Sequence, residues 1–179
     1  MKYIKLLRII IGIFLLGVIS CSNVPSKFKS NSEPNGYSDL KWGTNLTALT
    51  DMVKIRTDPF LKVDIYTRKN ESLKKGMIKF KRIEYAFWKN KFKSVSFCIE
   101  KGYWNWLFLK IGTFKKYGKG VKHKMFEGVE YLWQGEKTNA ILLRAKSKTS
   151  QCGGVLVIES VEIQKQITAY LKNSRKGVR

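Results

Sequence analysis

Residue types that build most catalytic and metal sites are scarce in this chain: its 179 residues include one histidine, three cysteines and 13 Asp+Glu. A zinc centre takes three or four ligands, and His123, set between Lys122 and Lys124 with the cysteines distant in sequence, does not assemble one. The acidic residues stand singly, without a pairing that suggests a metal clamp. The patterns C-x-x-C, G-x-S-x-G and G-x-x-x-x-G-K-[S/T] are all missing, which removes thioredoxin-type redox, nucleophile-elbow hydrolysis and phosphate-loop nucleotide binding from the simple readings. No catalytic residue, metal or cofactor is assigned, and a non-enzyme is expected. Three prolines and 14 glycines are too few for long disorder or a collagen repeat. No apolar run reaches the roughly 20 residues that a spanning helix needs.

Positive charge is what the chain has in excess. Thirty-five Lys+Arg give a formal +22, and a 44% hydrophobic, 13% aromatic composition is enough for one core. Lys2, Lys5 and Arg8 precede Ile9 to Ile19, a charge-free stretch interrupted only by Gly12 and Gly17. That is the basic n-region and short h-region of a signal peptide. Val18-Ile19-Ser20-Cys21 follows, and it resembles the lipobox of bacterial lipoproteins, a resemblance covering residues 1–22. The resemblance implies removal of residues 1–20, fatty acylation of the Cys21 thiol with chains such as palmitate, and Cys21 as the new N-terminus. Two or more chains anchor a protein stably, at about 0.8 kcal/mol per buried methylene. By the same resemblance, Ser22 rather than Asp after the cysteine implies transfer to the outer membrane, facing the periplasm, if the host is Gram-negative. Loss of Lys2, Lys5 and Arg8 with the leader lowers the charge only from +22 to +19, so export does not account for it.

Residues 21–38 read as a lipidated end and flexible tether rich in Ser, Asn and Lys, residues 39–174 as a single domain, and residues 175–179 as a basic tail. The periodicity predicts helices at about 45–54, 103–117 and 161–173. It predicts strands at about 60–68, 75–81, 82–88, 92–100, 130–135, 138–147 and 154–159, with a turn at Lys89-Asn90-Lys91. The expected fold is therefore α+β: antiparallel β-meanders of six or seven strands packed with two or three short helices. Glu84-Tyr85…Trp88 and Glu130-Tyr131…Trp133 hint at a duplicated helix-plus-sheet unit.

With Cys21 taken by lipid, Cys98 and Cys152 remain as a candidate disulfide in an oxidising compartment. From Lys74 to Lys124 fifteen Lys+Arg face only Glu84 and Glu100, and many of the aromatics lie there too. Inside a cell such a stretch would suggest nucleic acid, but the export signal redirects it to phospholipid headgroups, lipopolysaccharide or acidic wall polymers. Lys110, Lys115, Lys116 and Lys119 are the candidate anion-binding residues. The seven Arg against 28 Lys weaken the reading, because phosphate recognition favours the arginine fork. On helix 103–117, Trp104, Leu107, Phe108, Ile111 and Phe114 form the expected core stripe. That leaves Trp106, Leu109 and Tyr117 as candidate contacts for an envelope protein partner. A third reading, a hydrolase, would need Glu84 or Glu130 in a cleft.

Overall fold

The computed structural model describes residues 26–125, 128–145 and 150–176. The leader, Cys21 and residues 177–179 lie outside the described residues. In chain order the elements are β1 (Gly36–Tyr37), β2 (Leu40–Lys41), a 3-10 turn (Leu46–Ala48), β3 (Met52–Asp58), β4 (Val63–Arg68), β5 (Lys74–Lys75), β6 (Ile78–Trp88) and β7 (Lys91–Ile99). Helix α1 (Tyr103–Tyr117) follows, then β8 (Val121–Met125), β9 (Gly128–Gln134), β10 (Thr138–Ala145), β11 (Gly154–Ser160) and helix α2 (Val161–Lys176). All strands except the β1–β2 hairpin join one nine-stranded antiparallel sheet, in the order β3-β4-β6-β7-β11-β10-β9-β8 with β5 on β6. The class is α+β with antiparallel meanders, as expected, but the sheet has more strands than the periodicity predicts.

The β6–β7 hairpin is the centre. Lys89 and Asn90 both adopt positive φ, 48° and 62°, the two-residue turn whose twist matches the strands it joins. Alternation then puts Ile83, Tyr85 and Phe87 on one face beside Val95, Phe97 and Ile99. Leu156, Ile158, Ala140, Leu142, Tyr131 and Trp133 extend that face across β11, β10 and β9, and all are buried. This first face is roofed by α1 and by the N-terminal arm, residues 26–49.

The arm overturns the expected flexible tether at residues 26–38. The Gln134 N–H donates to the Ser26 carbonyl at 3.0 Å, the Lys29 N–H to the Tyr117 carbonyl at 2.8 Å, and Glu33 accepts from the Lys137 and Thr138 amides at 2.6 and 2.8 Å. Phe28 meets Tyr117 edge-on at 5.4 Å, and Trp42 donates its indole N–H to Thr138 at 2.8 Å. Farther on, Arg68 of β4 forks onto Asp39 at 2.6 and 2.7 Å and reaches Asp51 at 2.7 Å, tying the hairpin down. Part of the arm's polar composition serves these specific bonds, while Lys27, Lys29, Ser30, Asn31 and Asn35 stay exposed.

On the second face, among the described residues, the cover is helix α2. Ser160 accepts from the Ile163 amide at 3.3 Å as an N-cap, and Ile163, Ile167 and Leu171 pack on Leu61, Val63, Ile65, Ala86 and Trp88. Beyond α2, this face carries half-buried Val121, Leu132, Ile141, Leu143, Val155 and Val157.

Three further expectations are corrected. The helix at 45–54 is a 3-10 turn capped by Asn45, whose side chain accepts from the Thr47 amide; past it, β-branched Val53, Ile55 and Thr57 favour the strand β3, which pairs with β4. The two strands at 75–81 and 82–88 are one strand, β6, carried through a register shift between Phe80 and Arg82. Lys122-His123-Lys124, outside every strand that the periodicity predicts, belongs to the edge strand β8, whose charges disfavour pairing with another chain. Each half of the sheet is a meander followed by a helix, yet α1 and α2 lie on opposite faces. Tyr85 stands on the third long strand of its meander and Tyr131 on the second of its own, so the sequence likeness around them does not mark equivalent positions.

Candidate functional site

Helix α1 is apolar on two opposite sides. Its inner stripe, Trp106, Leu109, Thr113 and Tyr117, is buried, at the i, i+3, i+7, i+11 spacing of a core-facing helix. Trp106 fits because Gly154 of β11 has no side chain: a Cβ there would come 2.7 Å from the indole ring. The Arg144 guanidinium covers that ring at 5.4 Å. Burial pushes the Tyr117 hydroxyl up to about 12. Thus Trp106, Leu109 and Tyr117, expected as partner contacts, are core. The outer stripe is Trp104, Phe108, Ile111 and Lys115, of which Trp104 is 65% and Ile111 54% exposed. Both stripes have helical spacing, and only the packing decides which one turns inward. Leu107, Phe108 and Phe114 are partly covered at the flanks.

The outer aromatics form a small cluster. Trp104 stacks on Phe108 with centroids 6.1 Å apart, and Tyr103 meets Trp104 at 5.4 Å. Lysines follow toward the C-terminal end. Lys115, Lys116 and Lys119 are exposed, with Lys116 Nζ 5.2 Å from the Tyr117 ring. Lys110 differs from these three: its Nζ lies over Phe114 and Tyr131 at 5.5 and 5.3 Å, so its stem is part of the helix packing.

At this same end the arm enters the fold. Ser26 Oγ donates to the Lys119 carbonyl at 2.8 Å, and Lys29 lies against Gly118. Exposed Lys27 and Lys29 thereby join Lys115, Lys116 and Lys119. Sequence reasoning missed the two arm lysines, because nothing local shows that residues 26–29 return to the end of a helix some ninety positions later; the hydrogen bonds carry that information.

The other candidates take different places. Cys98 and Cys152 are joined in a disulfide with Cα atoms 5.4 Å apart, tying the loop before β11 to β7. Glu84 is held by Arg56 at 2.8 and 3.0 Å and by Arg82 at 3.2 Å. It shares the second face with Glu130, but β7, β11 and β10 intervene. Four strand spacings make roughly 19 Å, against about 5–9.5 Å for paired glycosidase carboxylates, so these two do not face one cleft. His123 stands opposite Glu130 across β8–β9, and burial pushes the Glu130 carboxyl above its ordinary value. Among the described residues, no three His, Cys, Asp or Glu side chains gather as a metal-holding group, and no helix is long and apolar enough to cross a membrane. No protein-family model, curated protein or solved structure matches the chain.

Proposed function

We propose that the protein is a lipid-anchored cell-envelope protein whose domain binds rather than transforms, contacting anionic envelope components, foremost anionic phospholipid, with the surface where its N-terminal arm meets the end of α1. The observation that carries this is the placement of Lys27, Lys29, Lys115, Lys116 and Lys119 around the point where the chain arrives from Cys21. Ser26 is five residues past Cys21, a span of at most about 18 Å. The acylated cysteine and the five lysines therefore address the same surface, with the domain held close to the bilayer rather than swung on a long tether. Placement in the outer membrane, facing the periplasm, follows from Ser22 for a Gram-negative host. The alternative of an accessory subunit of an envelope protein complex loses its proposed contacts, since Trp106, Leu109 and Tyr117 are inside.

Each lysine near an anionic surface contributes about 1 kcal/mol. Residues 22–179, without acyl chains, should bind vesicles rich in phosphatidylglycerol, weaken steeply with salt and bind neutral vesicles far less. Replacing Lys115, Lys116 and Lys119 with Gln should cut partitioning roughly 100-fold. Equal binding to neutral and anionic vesicles at every salt concentration would refute the electrostatic contact. A mature form beginning at Cys21 without added acyl mass would refute the anchor.

A further inference from the structure

We infer that the outer face of α1 is a membrane-insertion surface, with Trp104, Phe108 and Ile111 entering the interfacial layer of an anionic phospholipid bilayer. This rests on the membrane-anchored reading above and adds an apolar contact to the electrostatic one. A helix that is apolar all round is normally buried on every side. Helix α1 is buried on one side only, and its second stripe keeps Trp104 and Ile111 more than half exposed, beside Tyr103. Trp and Tyr rings favour the headgroup layer, where an apolar body and a polar edge are both satisfied.

Charge selects the occupant. The sequence of α1, YWNWLFLKIGTFKKY, contains no acid, and Lys115 and Lys116 close its last turn. A helix with Trp, Phe and Ile on one face and lysines at its margin suits an anionic bilayer, into which such faces sink about 5–10 Å. Position agrees with charge. The arm meets the fold at the C-terminal end of α1, and fifteen helical residues extend about 22 Å from there. The whole outer stripe is thus within reach of the bilayer that would hold the acyl chains on Cys21.

The test uses the full protein, purified from membranes and reconstituted into phosphatidylglycerol-containing vesicles whose lipids carry bromine at shallow acyl positions. Tryptophan emission is read with and without bromine. Trp88, Trp106 and Trp133 are buried and Trp42 is half-buried, so quenching reports mainly on Trp104. The wild type should be quenched, and W104F, which disturbs no buried contact, should lose most of that quenching. Unquenched wild type, or equal quenching in W104F, would overturn the inference, as would shielding of Trp104 by a co-purifying protein instead of lipid. The mass of the same preparation reports acylation of Cys21, and a Lys115, Lys116 and Lys119 to Gln variant reports the electrostatic contact. Failure of either therefore reads separately from failure of Trp104 to insert.

Discussion

Replacing Trp106 and Trp104 one at a time by Ala tests which side of α1 is core, because the two tryptophans are two positions apart on opposite stripes. Trp106 is 5% exposed, seated on Gly154 and covered by Arg144. Truncating a buried Trp to Ala costs about 3–5 kcal/mol, and the lost guanidinium contact adds about 0.5–1 kcal/mol. For a chain of this length each kcal/mol moves Tm by about 2–4 °C, so W106A should melt roughly 7–24 °C lower. Trp104 has only its stack on Phe108 and its edge contact with Tyr103 to lose, and an exposed substitution of this kind stays within about 0.5 kcal/mol. W104A should therefore melt within about 2 °C of the wild type. The assay is thermal unfolding by circular dichroism under non-reducing conditions, with W106F as a milder partner should W106A fail to fold. Equal losses for W104A and W106A, or a silent W106F paired with a damaging W104A, would refute the orientation of the helix and everything built on its outer face.

Other consequences are open to measurement. The disulfide closes a loop of sequence separation 54, so its removal in a Cys98→Ser, Cys152→Ser variant should cost about 4 kcal/mol by loop entropy; a denaturant midpoint indifferent to reductant would contradict it. Glu84→Gln removes the negative charge and one of the two carboxylate oxygens that hold Arg56 and Arg82, and because Arg56 is partly solvated the loss should be about 1–2 kcal/mol, read as a lower urea midpoint with unchanged slope. Burial raises the folded Glu130 pKa above its ordinary 4.5, so this carboxyl favours folding fully below that value and loses the contribution as pH rises through its folded pKa. Glu130→Gln should therefore melt higher than wild type at pH 7–8 and alike at pH 3–4, and the reverse order would show that the ionised form is the one stabilised.

Much of the fold is legible in the residues, for reasons that differ by element. Alternation at Ile83, Tyr85 and Phe87 against Val95, Phe97 and Ile99 reveals the central hairpin, since each strand has one apolar face buried under a roof. Ser160 with Ile163, Ile167 and Leu171 likewise identifies α2 and its core side. Helix α1 is legible in extent, including its Gly118 end, but not in orientation. Two apolar stripes with the same period carry no signal as to which one meets the sheet, and the decisive fact, the space over Gly154, comes from a strand nearly fifty residues away. The strand β8 is hidden because its apolar positions are only Val121 and Met125, and its place is set by pairing with β9. The arm is hidden because Ser, Asn and Lys look the same in a solvated linker and in a segment held by Glu33, Ser26 and Trp42. The lysine cluster at the candidate site inherits that blindness: Lys115, Lys116 and Lys119 can be found by charge, Lys27 and Lys29 only by where the arm lands.

Whether the side carrying α1 and the arm entry faces the membrane is decided by a lysine footprint. The full protein is treated with a membrane-impermeant amine reagent in detergent and again in anionic vesicles, and modification is read by mass at each lysine. Lys27, Lys29, Lys115, Lys116 and Lys119 should lose labelling in vesicles, while exposed Lys165 and Lys172 on α2, across the sheet, keep theirs. Uniform labelling in both conditions, or protection of the α2 lysines instead, would contradict that orientation.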